Sequence, residues 1–299
     1  DKVLLFRMGD FFEMFDEDAQ IAAPILGIAL TARNKKAGDQ TSMCGVPHHS
    51  IAGHINKLLQ AGRKVAICDQ VEDAKLAKGL VKREVTRILS PGMVYDPETL
   101  DAHTPNYLCA FDEESLSFMD STTGECFYYA LEDEKKKASL INALQPVEII
   151  IVEKQKEKLT ELIGSRSDIL VSEFDEDRSG YDSLPLSARR LLAYAQYMQG
   201  EAVLKSLKPF EKRDCDFRLQ LSANVLRHLE IFKTYKGEKV GTLFSAMDRT
   251  KTAGGGRLLR QWILFPLAEK RAIEKRHQEV AYWVSQVEKL KSIRQALFN

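Results

Sequence analysis

An apolar segment and an aromatic-rich one follow each other directly near the start of this 299-residue chain: Val3-Leu4-Leu5-Phe6-Arg7-Met8-Gly9-Asp10-Phe11-Phe12-Glu13-Met14-Phe15. The first four residues are typical of a β-strand. After Gly9 and Asp10 the apolar residues recur at helical spacing: Phe12, Phe15, Ala19, Ala22, Ala23 and Leu26. The segment predicts a strand that leads into a helix, with Asp10 as its N-cap and Glu13 completing a capping box. Phe11 then lies about 70° from the centre of the apolar face, where a role in the core or in a hydrophobic staple would explain it.

The rest of the first hundred residues predicts a mixed α/β unit. We expect a helix at about His54 to Gln60 and three further strands, at Gly27 to Leu30, Lys64 to Cys68 and Val85 to Leu89. Pro91 to Pro105 contains Pro, Gly, Asp and Thr at intervals and predicts a linker.

A second α/β unit is expected after that linker. It comprises a hairpin of Ser115 to Asp120 and Cys126 to Leu131, a helix at Glu134 to Leu144, a strand at Glu148 to Val152 and a helix at Ser187 to Gly200. This order of elements is of the RNase H-like kind. The charged segment Lys208 to Asp216 predicts the next boundary.

From Leu219 onward the pattern is helical. An apolar stripe marks one long final helix that begins just after Pro266: Ile273, Val280, Val284, Val287, Leu290 and Leu297. Such a stripe requires a partner, so we expect this part to belong to a larger helical domain. The predicted fold class is α/β plus α, with domains at residues 1–95, 103–216 and 217–299.

Composition excludes several classes of protein. The 43 basic and 43 acidic residues balance, so net charge gives no sign of a nucleic-acid partner. No apolar run reaches the roughly 20 residues of a membrane span, and the first residues do not resemble a signal peptide. We therefore expect a cytoplasmic protein. Its five cysteines, scattered and odd in number, favour neither a disulfide framework nor a zinc site.

Two local features leave their interpretation open. Between Thr31 and Ser90 there are eleven Lys or Arg against five Asp or Glu, which fits either phosphate contacts or a solvated surface. Cys44 with His48 and His49 is the one cluster with metal-binding residue types, although a turn around Gly45 and Pro47 explains it better because no further ligands lie nearby.

The aromatic segment closely resembles the one that carries the Phe-x-Glu motif of the MutS family. Similar matches follow in the same order: Leu30-Thr31-Ala32-Arg33, Met43-Cys44-Gly45-Val46-Pro47-His48-His49, Val65-Ala66-Ile67-Cys68-Asp69-Gln70, Arg87-Ile88-Leu89-Ser90-Pro91-Gly92, Asp120-Ser121-Thr122-Thr123-Gly124-Glu125, Leu229-Glu230-Ile231, Asp248-Arg249-Thr250-Lys251-Thr252 and Gly256-Arg257-Leu258-Leu259. The resemblance covers nearly the whole chain. It implies a mismatch-binding domain, a connector domain and the beginning of the helical core or lever domain.

By this resemblance the chain recognises mismatched or unpaired bases in double-stranded DNA during post-replicative repair. Phe11 would enter the duplex from the minor groove and stack on the mispaired base, and Glu13 would hydrogen-bond that base. Arg33, and more weakly Arg83, would contact DNA phosphates, although both are equally explained as surface charge. A mismatch has already lost part of its stacking energy, so an inserted ring discriminates by deformability.

The resemblance has limits. The few residues that precede the motif in the family are missing, and Phe12 stands where Tyr is frequent. No Gly-x-x-x-x-Gly-Lys-Ser/Thr motif occurs, since Gly254-Gly255-Gly256-Arg257 lacks the lysine and the spacing. We therefore expect a fragment without enzymatic activity or cofactor, whose parent binds ATP and Mg²⁺ and dimerises through C-terminal domains outside this chain, and which is associated with the nucleoid.

Two other functions remain open. RNase H-like folds can be metal-dependent nucleases, and Asp112, Asp120 and Glu125 are acids near predicted strands, although turn chemistry explains them at least as well. The second alternative is a protein-interaction module, since the resemblance implies that a MutL-type protein docks on the connector domain.

Overall fold

Two six-stranded sheets and a group of helices make up this chain. The structure, a computed structural model, describes residues 2–33, 41–72, 81–94, 101–164, 169–214, 219, 221 and 223–297. The combination of sheets and helices confirms the mixed α/β class. The domain limits 1–95, 103–216 and 217–299 stay predictions.

The first sheet has the strand order β3-β4-β2-β1-β5-β6. Its strands are β1 (Lys2–Met8), β2 (Phe11–Phe15), β3 (Thr31–Arg33), β4 (Thr41–Pro47), β5 (Lys64–Gln70) and β6 (Arg83–Leu89). Helices α1 (Asp16–Leu26) and α2 (Ile51–Gln60) contribute Ala19, Ala22, Leu26 and Leu58 to a core with Leu5, Phe12 and Met14 of the central strands.

The predicted helix start at Asp10 is wrong. Phe11–Phe15 is a strand that pairs antiparallel with β1, and the helix begins only at Asp16. Gly9 and Asp10 form the two-residue loop of a hairpin in which Gly9 adopts a φ of 60°. A Gly-Asp pair between two apolar segments is itself a hairpin signal, because Gly adopts positive φ without steric cost. Glu13 therefore belongs to no capping box.

Most other elements of this unit are confirmed, including α2, β5 and β6. The exception is the strand predicted from Gly27 to Leu30. Gly27 ends helix α1 in the left-handed region and its N–H donates to the Ala23 carbonyl, so the backbone there closes a helix instead of extending. The short strand β3 begins at Thr31, directly after the end of the predicted range.

The second sheet has the strand order β11-β10-β7-β8-β9-β12. Its strands are β7 (Leu108–Phe111), β8 (Ser115–Asp120), β9 (Glu125–Ala130), β10 (Glu148–Ile151), β11 (Leu170–Glu173) and β12 (Glu211–Arg213). Helices α3 (Glu134–Leu144) and α4 (Lys156–Ile163) contribute to the core on one face, and α5 (Leu186–Gln199) to a separate cluster with β7, β8 and β10. The predicted hairpin, the strand after α3 and helices α3 and α5 are confirmed.

The described parts of the two predicted boundary segments pack or pair with the second unit, while residues 215–216 of the later one lie outside the described residues. Met93, within the first linker, is fully buried against Leu108 and Tyr194 of the second unit. Residues 95–100 of that linker lie outside the described residues. In the second segment, β12 joins the sheet as a parallel neighbour of β9, because strand pairing offsets the cost of ordering its charged residues.

Five helices are described between residues 223 and 297: α6 (Ala223–His228), α7 (Leu243–Met247), α8 (Ala253–Leu264), α9 (Lys270–Ser285) and α10 (Val287–Ala296). The prediction of one long final helix is wrong, since the backbone of Gln286 leaves the helical region (φ −109°, ψ 50°) and separates α9 from α10. The apolar stripe is exposed at Val280, Val284 and Val287. Among the described residues, no helix combines the length and apolarity needed to cross a membrane.

Candidate nucleic-acid interface

Strand β2 separates an inward from an outward set of side chains. Side chains alternate between the two faces of a strand. Phe12 and Met14 are 4% and 0% exposed and lie in the core, whereas Phe11 is 48% exposed. Glu13 is half-buried on the same side of the strand as Phe11. The two residues predicted to meet the mismatched base thus share the outer face, two positions apart.

The tip of this hairpin is exposed but well anchored. Gly9, Asp10 and Phe11 are all exposed. The Asp10 carbonyl accepts a hydrogen bond of 2.8 Å from the His48 backbone N–H. On the core side, the Phe12 ring stacks on the His48 ring with 5.8 Å between centroids. An exposed aromatic ring on a fixed backbone loses little conformational entropy when it inserts into a partner.

Glu13 lies between an aromatic ring and a glycine. Its direct partner on β1 is Phe6, and its partner on β4 is Gly45. A Cβ atom added at Gly45 would lie 3.5 Å from the Glu13 Cγ and 3.3 Å from the Phe12 carbonyl oxygen. A side chain at position 45 would therefore touch the stem of Glu13 and press on the Phe12 carbonyl oxygen. The sequence placed Gly45 in a turn and Phe6 in the first strand, and it linked neither residue to Glu13.

Arg83 makes contacts within the protein. Its Nε donates to the Arg7 carbonyl at 3.1 Å and its Nη1 to the Val81 carbonyl at 3.0 Å. Its guanidinium lies 5.5 Å from the centroid of the Phe6 ring. Because Phe6 is the strand neighbour of Glu13, Arg83 connects edge strand β6 to the outer face that carries the two motif residues.

This geometry predicts a structural effect of Arg83→Ala. The variant loses two hydrogen bonds and a cation–π contact, so its free energy of unfolding should fall by about 1–2 kcal/mol. Lys82→Ala is the control, because the Lys82 side chain is 68% exposed and pairs with an exposed Glu84, and its stability should match that of the unsubstituted chain. Urea denaturation measures both. Unchanged stability of Arg83→Ala, together with a DNA-binding salt slope reduced by about one, would instead assign Arg83 to a phosphate.

Arg33 ends strand β3 and pairs with Thr41 on β4. The pairing continues across the sheet, since Thr31 pairs with Met43 of β4 and Met43 pairs with Phe15 of β2. Other basic residues of the local surplus lie outside the described residues: Lys35, Lys36, Lys75 and Lys78.

Cys44, His48 and His49 do not converge on a metal. The Cys44 thiol is buried and donates to the Ala19 carbonyl at 3.6 Å. Burial raises the pKa of that thiol, which disfavours the thiolate a metal would bind. His48 stacks on Phe12 and His49 is exposed. Over the described ranges, no group of three His, Cys, Asp or Glu side chains could hold a metal ion.

The three carboxylates considered for nuclease chemistry serve local structure. Asp112 accepts hydrogen bonds from the Ser187 N–H at 2.7 Å and the Ser115 hydroxyl at 2.6 Å. Asp120 caps the β8–β9 turn at the opposite end of β8, about 17 Å away at the usual rise per residue. Glu125 pairs with Arg213 at 2.7 Å. Two-metal cleavage requires several carboxylates within a few ångströms of one point. Asp120 and Glu125 are strand partners, but Asp112 lies at the other end of β8, so the three do not converge.

Comparison with known proteins assigns the chain to a family. The family model described as MutS domain I matches residues 1–98, and the one described as MutS domain III matches residues 224–299. Relatives named DNA mismatch repair protein MutS include those of Desulfitobacterium hafniense, 39% identical over 92% of this chain, Staphylococcus saprophyticus, 37% over 95%, and Syntrophobacter fumaroxidans, 36% over 94%. The chain spans about a third of the length of these curated relatives, at 34%, 33% and 35%. Two domain models of one family match in order, and the identity to these relatives extends across the second sheet between the two matches. The chain therefore belongs to the MutS family.

Proposed function

We propose that this chain recognises mispaired or unpaired bases in double-stranded DNA, as the name of its relatives indicates for them. The observation that carries the proposal is the half-exposed Phe11 ring at the tip of an anchored hairpin, beside Glu13 on the same outer face. The ring stacks on a base that has already lost part of its stacking and pairing energy. Intact duplex resists this insertion by a few kcal/mol per step.

The direct test is fluorescence anisotropy with two labelled duplexes that differ only in one central mismatch. Salt must be held fixed, because phosphate contacts make every affinity salt-dependent. We expect tighter binding to the mismatched duplex, and equal affinity for both duplexes would contradict the proposal. Since the chain is about a third of its relatives' length, the same substitutions should also be made in a full-length relative.

Glu13 acts in this proposal as a filter against intact duplex. A carboxylate near phosphates is repelled unless a base edge donates a hydrogen bond to it or it is protonated. At about 4 Å in water one such charge pair is worth about 1 kcal/mol. Glu13→Gln and Glu13→Ala should therefore raise the affinity for matched duplex about fivefold, with a smaller change for mismatched duplex.

The matched control is Glu17→Gln, which removes the same charge from an exposed position on helix α1. It should change both affinities equally and weakly. If the Glu13 variants bind matched duplex no better than Glu17→Gln does, Glu13 is not a filter.

The finer assignments follow from this function. We infer that residues 1–95 form the mismatch-binding domain, 103–216 an RNase H-like connector and 217–299 the start of the core or lever domain. The order β9-β8-β7-β10-β11 within the second sheet supports the middle assignment. Arg33 is proposed to contact a phosphate. The proposed activity is binding; purified chain that cut nicked or hybrid DNA with Mg²⁺ or Mn²⁺ would contradict it.

A MutL-type protein is the proposed partner of the second unit, on family resemblance alone. Pull-down with two parts of the chain, one ending before and one beginning after the 91–105 segment, tests this: the second part should retain MutL at low salt and the first should not. Dimerisation and ATP binding are proposed for the parts of the relatives that this chain does not cover.

A further inference from the structure

A crevice of about 1250 Å³ lies at one edge of the second sheet. It is lined by residues that follow β7, β9 and β10, among them Asp112, Leu131 and Gln155, and by Arg190 of helix α5. Strands β7 and β10 are parallel neighbours. The chain adds β8 and β9 on one side of β7 and then β10 and β11 on its other side, so the order in which strands are added reverses between β7 and β10. Ligands of open α/β sheets bind in crevices outside the carboxyl ends of strands at such a reversal.

Arg190 is buried in the wall of this crevice with few partners. The residue is only 5% exposed and its Nε has no hydrogen-bond partner. Its Nη1 lies 3.4 Å from the Phe111 carbonyl oxygen, which already accepts a 2.7 Å hydrogen bond from the Gln155 side chain. A guanidinium has five N–H donors, so one long contact to an occupied acceptor leaves most of its capacity unused.

Among the described residues, two of the three acids whose charge acts on Arg190, Asp112 and Asp177 but not Asp175, have other partners. Asp112 accepts from the Ser187 N–H and the Ser115 hydroxyl, and Asp177 pairs with Arg189 at 3.3 Å. Across the part of the chain that the structure describes, no carboxylate forms an ion pair with Arg190. Burial accordingly lowers the pKa of Arg190, and the attraction of Asp112 opposes this only in part.

We propose that this crevice binds an oxyanion, the carboxylate or phosphate group of a small ligand, with Arg190 as its bidentate partner. A buried, unpaired charge is energetically unfavourable. A carboxylate or phosphate that accepts two parallel hydrogen bonds from the planar guanidinium offsets this best. Lys154 and Lys212 are exposed at the same crevice, whose lining also includes Glu113, Glu114 and Glu132, so the unpaired guanidinium of Arg190, and not an overall positive lining, favours an oxyanion. The inference concerns the second unit alone and does not depend on the DNA-binding proposal.

The test titrates the 299-residue chain with inorganic phosphate and, separately, with succinate, replacing chloride at constant ionic strength. The arginine Hε–Nε resonances report binding in ¹H–¹⁵N spectra, and loss of one resonance in Arg190→Lys assigns it. We expect that resonance to shift saturably with at least one anion. The anion that binds with the higher affinity shows whether the ligand group is a phosphate or a carboxylate. The control is Arg189→Lys, whose guanidinium already pairs with Asp177 and Asp182, and it should leave binding unchanged.

Arg190→Gln should lower the affinity for the anion at least tenfold. The affinity is measured from the shift in the thermal midpoint of unfolding with anion concentration. Absence of a saturable Arg190 shift with either anion up to about 10 mM would overturn the proposal, as would equal affinity in Arg190→Gln. The wild-type titration decides the matter by itself if that variant does not fold.

Discussion

Phe11→Ala is expected to abolish the preference for mismatched over matched duplex. Stacking of a base on an aromatic ring is worth about 1–3 kcal/mol by alanine substitution, which corresponds to a loss of about 5- to 150-fold in mismatch affinity. Matched duplex, into which the ring does not insert, should be bound with little change. Paired anisotropy titrations at fixed salt give the ratio, and an unaltered ratio would remove Phe11 from the recognition mechanism.

The adjacent Phe12 supplies a matched control, because the same substitution one residue along removes a ring from the opposite face. Phe11 is 48% exposed, so Phe11→Ala should alter the free energy of unfolding by no more than about 0.5 kcal/mol. Phe12 is 4% exposed and lies in the core, so Phe12→Ala should cost about 3–5 kcal/mol. Urea denaturation of the two variants separates the recognition residue from the packing residue. Equal destabilisation would mean that Phe11 is a core residue after all.

The exposure of Phe11 follows from the strand and not from the predicted helix. In a helix Phe11 lies about 70° from the centre of the apolar face, where a core or staple role would explain it, whereas in a strand it alternates with the inward-facing Phe12 and Met14. Either period therefore directs Phe12 inward. What differs is the neighbour of Glu13, because only the hairpin brings Phe6 beside it. The helical period of α1 also fits Phe12 and Phe15, which precede that helix. The predicted helix was therefore begun too early, and the turn at Gly9 and Asp10 was missed.

Local signals located the elements that local interactions determine. Helix α3 begins and ends where predicted because Asp133 caps it, accepting from the Lys135 and Lys136 N–H groups, and apolar spacing fixes its face. Contacts between distant positions left no such signal. Arg83 reaches the carbonyl of Arg7, 76 residues away, and the register of β1, β2 and β4 decides which residues flank Glu13. A single sequence contains no periodicity that specifies these pairs.

Glu148→Ala is expected to lower the free energy of unfolding by about 3–5 kcal/mol, because each buried donor left without an acceptor costs about 1–3 kcal/mol. Glu148 is fully buried at the start of β10. Its Oε2 accepts from the Ser90 hydroxyl and from the Gly92 N–H at 3.1 Å. Its Oε1 accepts from the Ser172 hydroxyl at 2.5 Å and the Tyr194 hydroxyl at 2.6 Å. The carboxylate thus joins the segment after β6 to the second sheet and to α5, and alanine would leave these donors buried without an acceptor.

The conservative variant Glu148→Gln separates the acceptor role from the charge. The NH2 group of the glutamine amide must face one of the two donor pairs, and its oxygen the other. It can face Ser172 and Tyr194, whose hydroxyls can turn to accept, but not the Gly92 N–H, which can only donate. Glu148→Gln should therefore retain part of the network and cost less than alanine. Glu173→Ala on neighbouring strand β11 removes an exposed carboxylate that pairs with Lys156 and should cost at most about 1 kcal/mol. If urea denaturation gives Glu148→Ala the same small cost as Glu173→Ala, the buried carboxylate does not hold the segment after β6 to the second sheet.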